Sequence, residues 1–129
     1  MKDSAQIQNE KVVNLYIKGI LYSFGLAFIL ILILTTIFFF VDLNTNIINP
    51  LEFVILLLSI VYASIYISKR MSNKGWLHGI IVGVVYFAII LIINLVVAPI
   101  DFSILNILPK AIFFICTGFL GGCIGINIK

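Results

Sequence analysis

His78, Tyr86 and Asn94 are the side chains best placed for chemistry, and all three lie in a stretch, 75–98, without a charged residue. His78 is the chain's only histidine. A buried imidazole that titrates near neutrality can relay protons. Positions 78, 82 and 86 share a helix face, so His78 and Tyr86 could line one groove. The plainer reading is an interhelical or interfacial hydrogen bond beside Trp76, a residue type that anchors at membrane boundaries. We adopt the plainer reading, because no carboxylate partner is expected at that depth. Asn94 carries an amide that is costly to leave unpaired in hydrocarbon. Thr35 and Thr36, at comparable depth, are its expected partners, and a polar ligand site is the alternative.

The remaining reactive groups point away from catalysis. Cys116 and Cys123, seven apart on one helix, would be separated by roughly 10 Å along its axis, too far for a disulfide. No second ligand pair accompanies them, so no metal is expected, and both read as small packing residues. Asp42, Glu52 and Asp101 read as solvated loop charges, with a cation-attracting vestibule as the other possibility. A Ser/His/Asp set, an HExxH motif, paired intramembrane acids and a glycine-rich phosphate loop are all missing from the sequence. The expectation is a protein that is not an enzyme and holds no cofactor.

The elements that must position these residues are legible from charge segregation. The 129 residues are 63% hydrophobic and only 10% charged, with mean hydropathy +1.27, whereas soluble domains are about one quarter charged. Residues 19–41, 53–68, 75–98 and 111–128 carry no charge at all. Runs of this length match a hydrocarbon core of about 30 Å at about 1.5 Å per helical residue. A soluble four-helix bundle would need a polar face on each helix, and none has one. The reading is therefore all-α: a polytopic membrane protein with four transmembrane helices at about 19–41, 51–68, 75–98 and 109–126. Residues 1–18 form an N-terminal segment ahead of one membrane domain, 19–129. The first apolar run is too long for a signal-peptide core and no small-residue cleavage site follows it, so it is read as retained. Residues 5–17 are expected to extend its helix as a short interfacial piece, with partner binding as the alternative.

Seven of the eight basic residues (Lys2, Lys11, Lys18, Lys69, Arg70, Lys74 and Lys129) fall on one side of such a topology, and Lys110 alone on the other. The bias puts both termini in the cytoplasm. The net charge of +3 then reflects topology and contact with anionic lipid; no nucleic-acid partner is expected. Asn49-Pro50-Leu51-Glu52 reads as a helix start with a capping box. Pro109 is expected to open the fourth helix and Pro99 to stop the third. All three prolines would then lie at helix ends, without the mid-membrane breaks of substrate-binding transporter helices.

Small residues recur at four-residue spacing in each span. They are Gly19, Ser23 and Ala27; Ser59 with Ala63, and Ser64 with Ser68; Gly75, Gly79 and Gly83; and Gly118 with Gly122, Gly121 with Gly125. Each helical glycine costs about 1 kcal/mol of propensity against alanine. In lipid, a stripe of small residues lets backbones approach closely enough to attract. Helices three and four should meet most closely at their cytoplasmic halves; backbone flexibility for gating is the other use of the glycines. KGILYS at 18–23 also aligns with KGWLHG at 74–79, consistent with two helical hairpins repeated in parallel.

At KGWLHGIIVGVVY and the terminal GGCIGIN, the chain resembles an uncharacterised family of small four-helix membrane proteins, DUF3792. The resemblance spans nearly the whole chain and is sharpest over 69–86 and 118–127. It implies a multi-pass protein of the cytoplasmic membrane of a Gram-positive bacterium, of the Firmicutes, and transfers no catalytic residue. Ala63, Ser64 and Ser68 stand where the resemblance leads one to expect more glycine, so packing of the second helix is expected to differ. Two functions follow. The first is a non-catalytic membrane component that self-associates or serves a larger complex, with replacement of Gly79 and Gly83 by leucine expected to disrupt association. The second is a small oligomeric transporter or channel. The absence of mid-membrane ionisable groups argues for the first.

Overall fold

The computed structural model describes residues 2–42, 44–71, 74–97 and 103–128. Helix α1 spans Lys2–Phe40, and a 3₁₀ turn at Thr45–Ile47 leads into α2, Ile48–Arg70. Helix α3 spans Gly75–Val97 and α4 Ile104–Asn127. All four are long and apolar enough to cross a membrane. Helix α1 passes residue 18 without a break, and its 39 residues extend well beyond a hydrocarbon core of about 30 Å. Pro99 and Asp101, the expected stop and one of the expected acids, lie outside the described residues.

Two helix starts differ from the sequence reading. Helix α2 begins at Ile48, with Ile47 at its cap position and no side-chain cap bond, so Asn49 and Glu52 do not form a capping box. Pro50 is the third residue of the helix, where a missing N–H removes no intrahelical bond. Pro109 does not open α4 but lies inside it. The helix starts earlier because the Ser103 carbonyl accepts from the N–H groups of Asn106 and Ile107, at 3.0 and 3.2 Å. Only one backbone bond, the one to the Leu105 carbonyl, is lost to the proline ring.

Packing is tightest at the end of the bundle that carries the α2–α3 connection. There α3 and α4 run antiparallel with backbone against backbone. A Cβ at Gly75 would lie 2.8 Å from the Gly122 carbonyl oxygen, and one at Gly83 would lie 2.6 Å from that of Phe114; at Gly79 it would collide with the Gly118 carbonyl. Gly121 and Gly125, on the adjoining face of α4, sit against Val61, Ser64, Ile65 and Ser68 of α2. Two glycine pairs, offset by three positions, thus make α4 thin on two faces at once, and it wedges between α2 and α3. Ser64 and Ser68 need not be glycine, because α4 supplies the missing volume.

The core of this wedge is Ile60, Ala63, Ile67, Val82, Tyr86 and Phe114. Helix α1 joins along one stripe: Gly19, against Ile67 and Tyr66, then Ser23 and Ala27, all buried. The α2–α3 connection is tied by the Ser68 hydroxyl, which donates to the Gly75 carbonyl at 3.1 Å. It also holds Lys74 at φ 54°, a conformation that costs a non-glycine residue about 1–3 kcal/mol. Ile90, Leu91 and Ile107 occupy the opposite end, where neither 84–97 nor 104–117 contains glycine. Helices held together at one end and spaced by large side chains at the other enclose a cleft.

The contrast between Gly79 and Gly25 is testable. Gly79→Ala is expected to destabilise the bundle by about 1–3 kcal/mol, as overpacking does when the obstructing atoms are backbone. Gly25→Ala, with nothing within 4 Å of the added methyl, should leave thermal unfolding in detergent unchanged or slightly raised.

Candidate functional site

Polar groups gather in two places, a seam between α1 and α3 and the cleft at the other end. Along the seam the two helices run in the same direction and touch at two levels. The Tyr16 hydroxyl shares a hydrogen bond with Nδ1 of His78, and the Ser23 hydroxyl shares one with that of Tyr86. Ser23 spends its own proton on the Ile20 carbonyl at 2.8 Å, so the Tyr86 hydroxyl is the donor to Ser23 Oγ. Phe24 stacks on Tyr86 with ring centroids 4.8 Å apart.

His78 and Tyr86 therefore share a face of α3, as their spacing requires, but each is engaged with α1 rather than with the other. Both contacts are interhelical hydrogen bonds. The sequence reading had not identified Tyr16 as a partner. A signal was present: 16 and 23 on α1 match 78 and 86 on α3, each pair two helical turns apart.

The buried serines are arranged for size more than for bonding. Ser59 donates to the carbonyl of Ile55 on its own helix at 3.0 Å. Ser64 Oγ is buried with no hydrogen-bond partner among the described residues; its Cβ lies where a Cβ on Gly121 would come within 2.8 Å. Ala63 is fully buried in the core.

Asn94 does not meet Thr35 and Thr36. Each threonine hydroxyl donates to its own helix, to Ile31 and Leu32 carbonyls at 2.8 Å, the usual way a hydroxyl is satisfied in a lipid-facing turn. Asn94 is exposed and stands instead at the rim of the cleft, with Asn49, Glu52, Asn106 and Lys110. The cleft has a volume of ≈ 880 Å³ and takes its walls from all four helices. Its deep end is an aromatic layer. Phe53 stacks on Phe114 at 5.8 Å, and Phe87 meets Phe114 edge-on at 6.2 Å. Beneath that layer Tyr86, Val82 and Ile60 are fully buried. Glu52 and Lys110 both line the cleft, and among the described residues neither has an ion-pair partner. Cys116 and Cys123 are free thiols, exposed and half-buried. Among the described residues, no three His, Cys, Asp or Glu side chains gather as a metal site would require.

If the seam bonds helices together, Ser23→Ala and Tyr86→Phe should couple. A double-mutant cycle in detergent is expected to return about 0.6–1.7 kcal/mol of interaction energy, the range found for interhelical hydrogen bonds in membranes. Additive effects would mean that the two hydroxyls do not stabilise each other.

A family model described as "Protein of unknown function (DUF3792)" matches residues 12–125 of the chain. No curated protein and no solved structure matches it. The matched region takes in the seam, the glycine wedge and the cleft, and the chain belongs to the DUF3792 family.

Proposed function

We propose that the protein is a non-catalytic helical component of a cytoplasmic membrane, associating with a second copy or with a larger membrane complex. The glycine-packed end, with Lys69, Arg70 and Lys74 beside it, lies on the cytoplasmic side in this reading, together with both termini.

The observation that carries the proposal is Gly25. Every other glycine of the chain is packed against a neighbour, whereas a Cβ at Gly25 would meet no described residue within 4 Å. It lies on the far side of α1 from Ser23, in a shallow groove with Leu21, Tyr22, Leu26, Ile29 and Leu30. A glycine in a lipid-exposed helix weakens that helix and gains no contact inside the chain, and a helix from another chain is what such a groove accommodates. Gly79 and Gly83 are the wrong residues for this role. They are used up within the chain, so leucine there would separate α3 from α4 before it altered any association.

The transporter reading draws less support. The aromatic layer and the glycine wedge close the cleft from the opposite end of the bundle, so a path through one chain would require α3 and α4 to part. Function as a structural or accessory subunit needs no such opening.

The test is recovery of a tagged copy from gently solubilised native membranes, with the complex sized and its members identified. Gly25→Phe is expected to abolish or sharply reduce the complex while the variant keeps the wild-type helical content and membrane insertion. A Gly25→Phe complex of unchanged size would remove this face from the association. Solute flux in liposomes reconstituted with the wild-type protein would replace the reading with that of a small oligomeric transporter or channel.

A further inference from the structure

The geometry points to the cleft as a binding site for one zwitterionic lipid, with its acyl chain against the aromatic layer and its headgroup between Glu52 and Lys110. This goes beyond the proposed association and does not rest on it, since the cleft and the Gly25 groove lie on different faces of α1.

Three features of the cleft lead to this ligand class. The first is its volume: ≈ 880 Å³ falls in the roughly 300–1,000 Å³ range of small-molecule sites, far above a packing defect. The second is segregation. The rim polar groups come from the first two turns of α2 and of α4 and the last turn of α3, while Phe53, Leu56, Phe87 and Ile90 line the interior. A ligand that satisfies both parts must be amphipathic, polar at one end only. Water alone fits poorly, because it needs polar partners that the interior does not offer.

The third feature is charge balance at the rim. One carboxylate and one ammonium line the same cleft, both on exposed side chains, neither paired with another described residue. Asn49, Asn94 and Asn106 add amides that both donate and accept. A headgroup with a phosphate and an ammonium answers each: phosphate to Lys110, ammonium to Glu52. An anionic headgroup would satisfy Lys110 but set its charge beside Glu52, with no second cation among the rim residues.

Native mass spectrometry of the purified protein tests this, with palmitoyl lysophosphatidylethanolamine as probe and palmitoyl lysophosphatidylglycerol as the anionic comparison. The expected result is one zwitterionic molecule per chain, bound roughly tenfold tighter than the anionic one, as loss of one charged hydrogen bond predicts. Glu52→Gln should erase most of that preference, and Lys110→Gln should weaken both lipids; both side chains are exposed, so neither change threatens the fold. Ile90→Trp, which fills the interior, should abolish retention of either lipid, and Gly25→Phe should bind as wild type. Equal retention of the two lipids by the wild-type protein, or a preference untouched by Glu52→Gln, would overturn the assignment and leave only surface lipid. If Ile90→Trp fails to fold, the two rim variants decide the matter alone.

Discussion

Everything in this bundle depends on how closely α3 can approach α4. In a bilayer, lipid tails are as apolar as the helices, so burying leucine against leucine yields little, and association must come from close packing and interhelical hydrogen bonds. Gly75, Gly79 and Gly83 facing Gly118 and Gly122 bring carbonyls of one helix to where the side chains of the other would otherwise stand. Dispersion between two backbones in direct contact is the attraction that results. The propensity lost at each glycine is the cost of that approach.

The rest follows from where this approach stops. Because α4 is thin on two faces, α2 and α3 close around it at one end, and Tyr86 and Phe114 are sealed in the core. With α3 fixed, its outward polar stripe is presented to α1, which takes up His78 through Tyr16 and Tyr86 through Ser23. Beyond the last glycine the side chains grow, the helices separate, and aromatic rings from all four cap the packed end. The cleft is the complement of the wedge: small residues at one end require large spacing at the other if the helices stay straight. Its polar rim arises where three helices begin or end, the only positions where amides and charges are cheap.

Much of the fold was legible in the sequence, for physical reasons specific to lipid. Charge-free runs mark spans because an ionised group in hydrocarbon is expensive, and four such runs correspond to the four helices. Glycine spacing identified the residues of the wedge and the close approach of helices three and four, but not that this approach uses Gly79 and Gly83 up. A stripe that permits close approach reads the same whether its partner is a neighbouring helix or another chain, so Gly79 and Gly83 looked like an association surface. Gly25 has Leu21 and Ile29 four positions to either side, so small-residue spacing does not mark it. Polar residues were hardest. Tyr16 belongs by sequence to the N-terminal extension of α1, yet its hydroxyl meets His78. Depth matches Asn94 to Thr35 and Thr36 but says nothing about azimuth, and both threonines are satisfied by their own helix. Helix starts slipped because a proline near an N-terminus marks the first helical position only when the residues before it cannot turn; Ser103 can.

The central claim, that glycine contact holds one end of the α3–α4 pair and leaves the other apart, is tested most directly by pulsed electron paramagnetic resonance in bilayers. Cys116 and Cys123 would be replaced by alanine and spin labels placed at exposed positions. Leu77→Cys with Leu120→Cys reports on the packed end, and Ile92→Cys with Leu105→Cys on the cleft end. The account predicts a shorter and narrower distance distribution for the first pair, which lengthens when Gly79→Leu is added. Equal distances at the two ends, or a first-pair distance unmoved by Gly79→Leu, would contradict it.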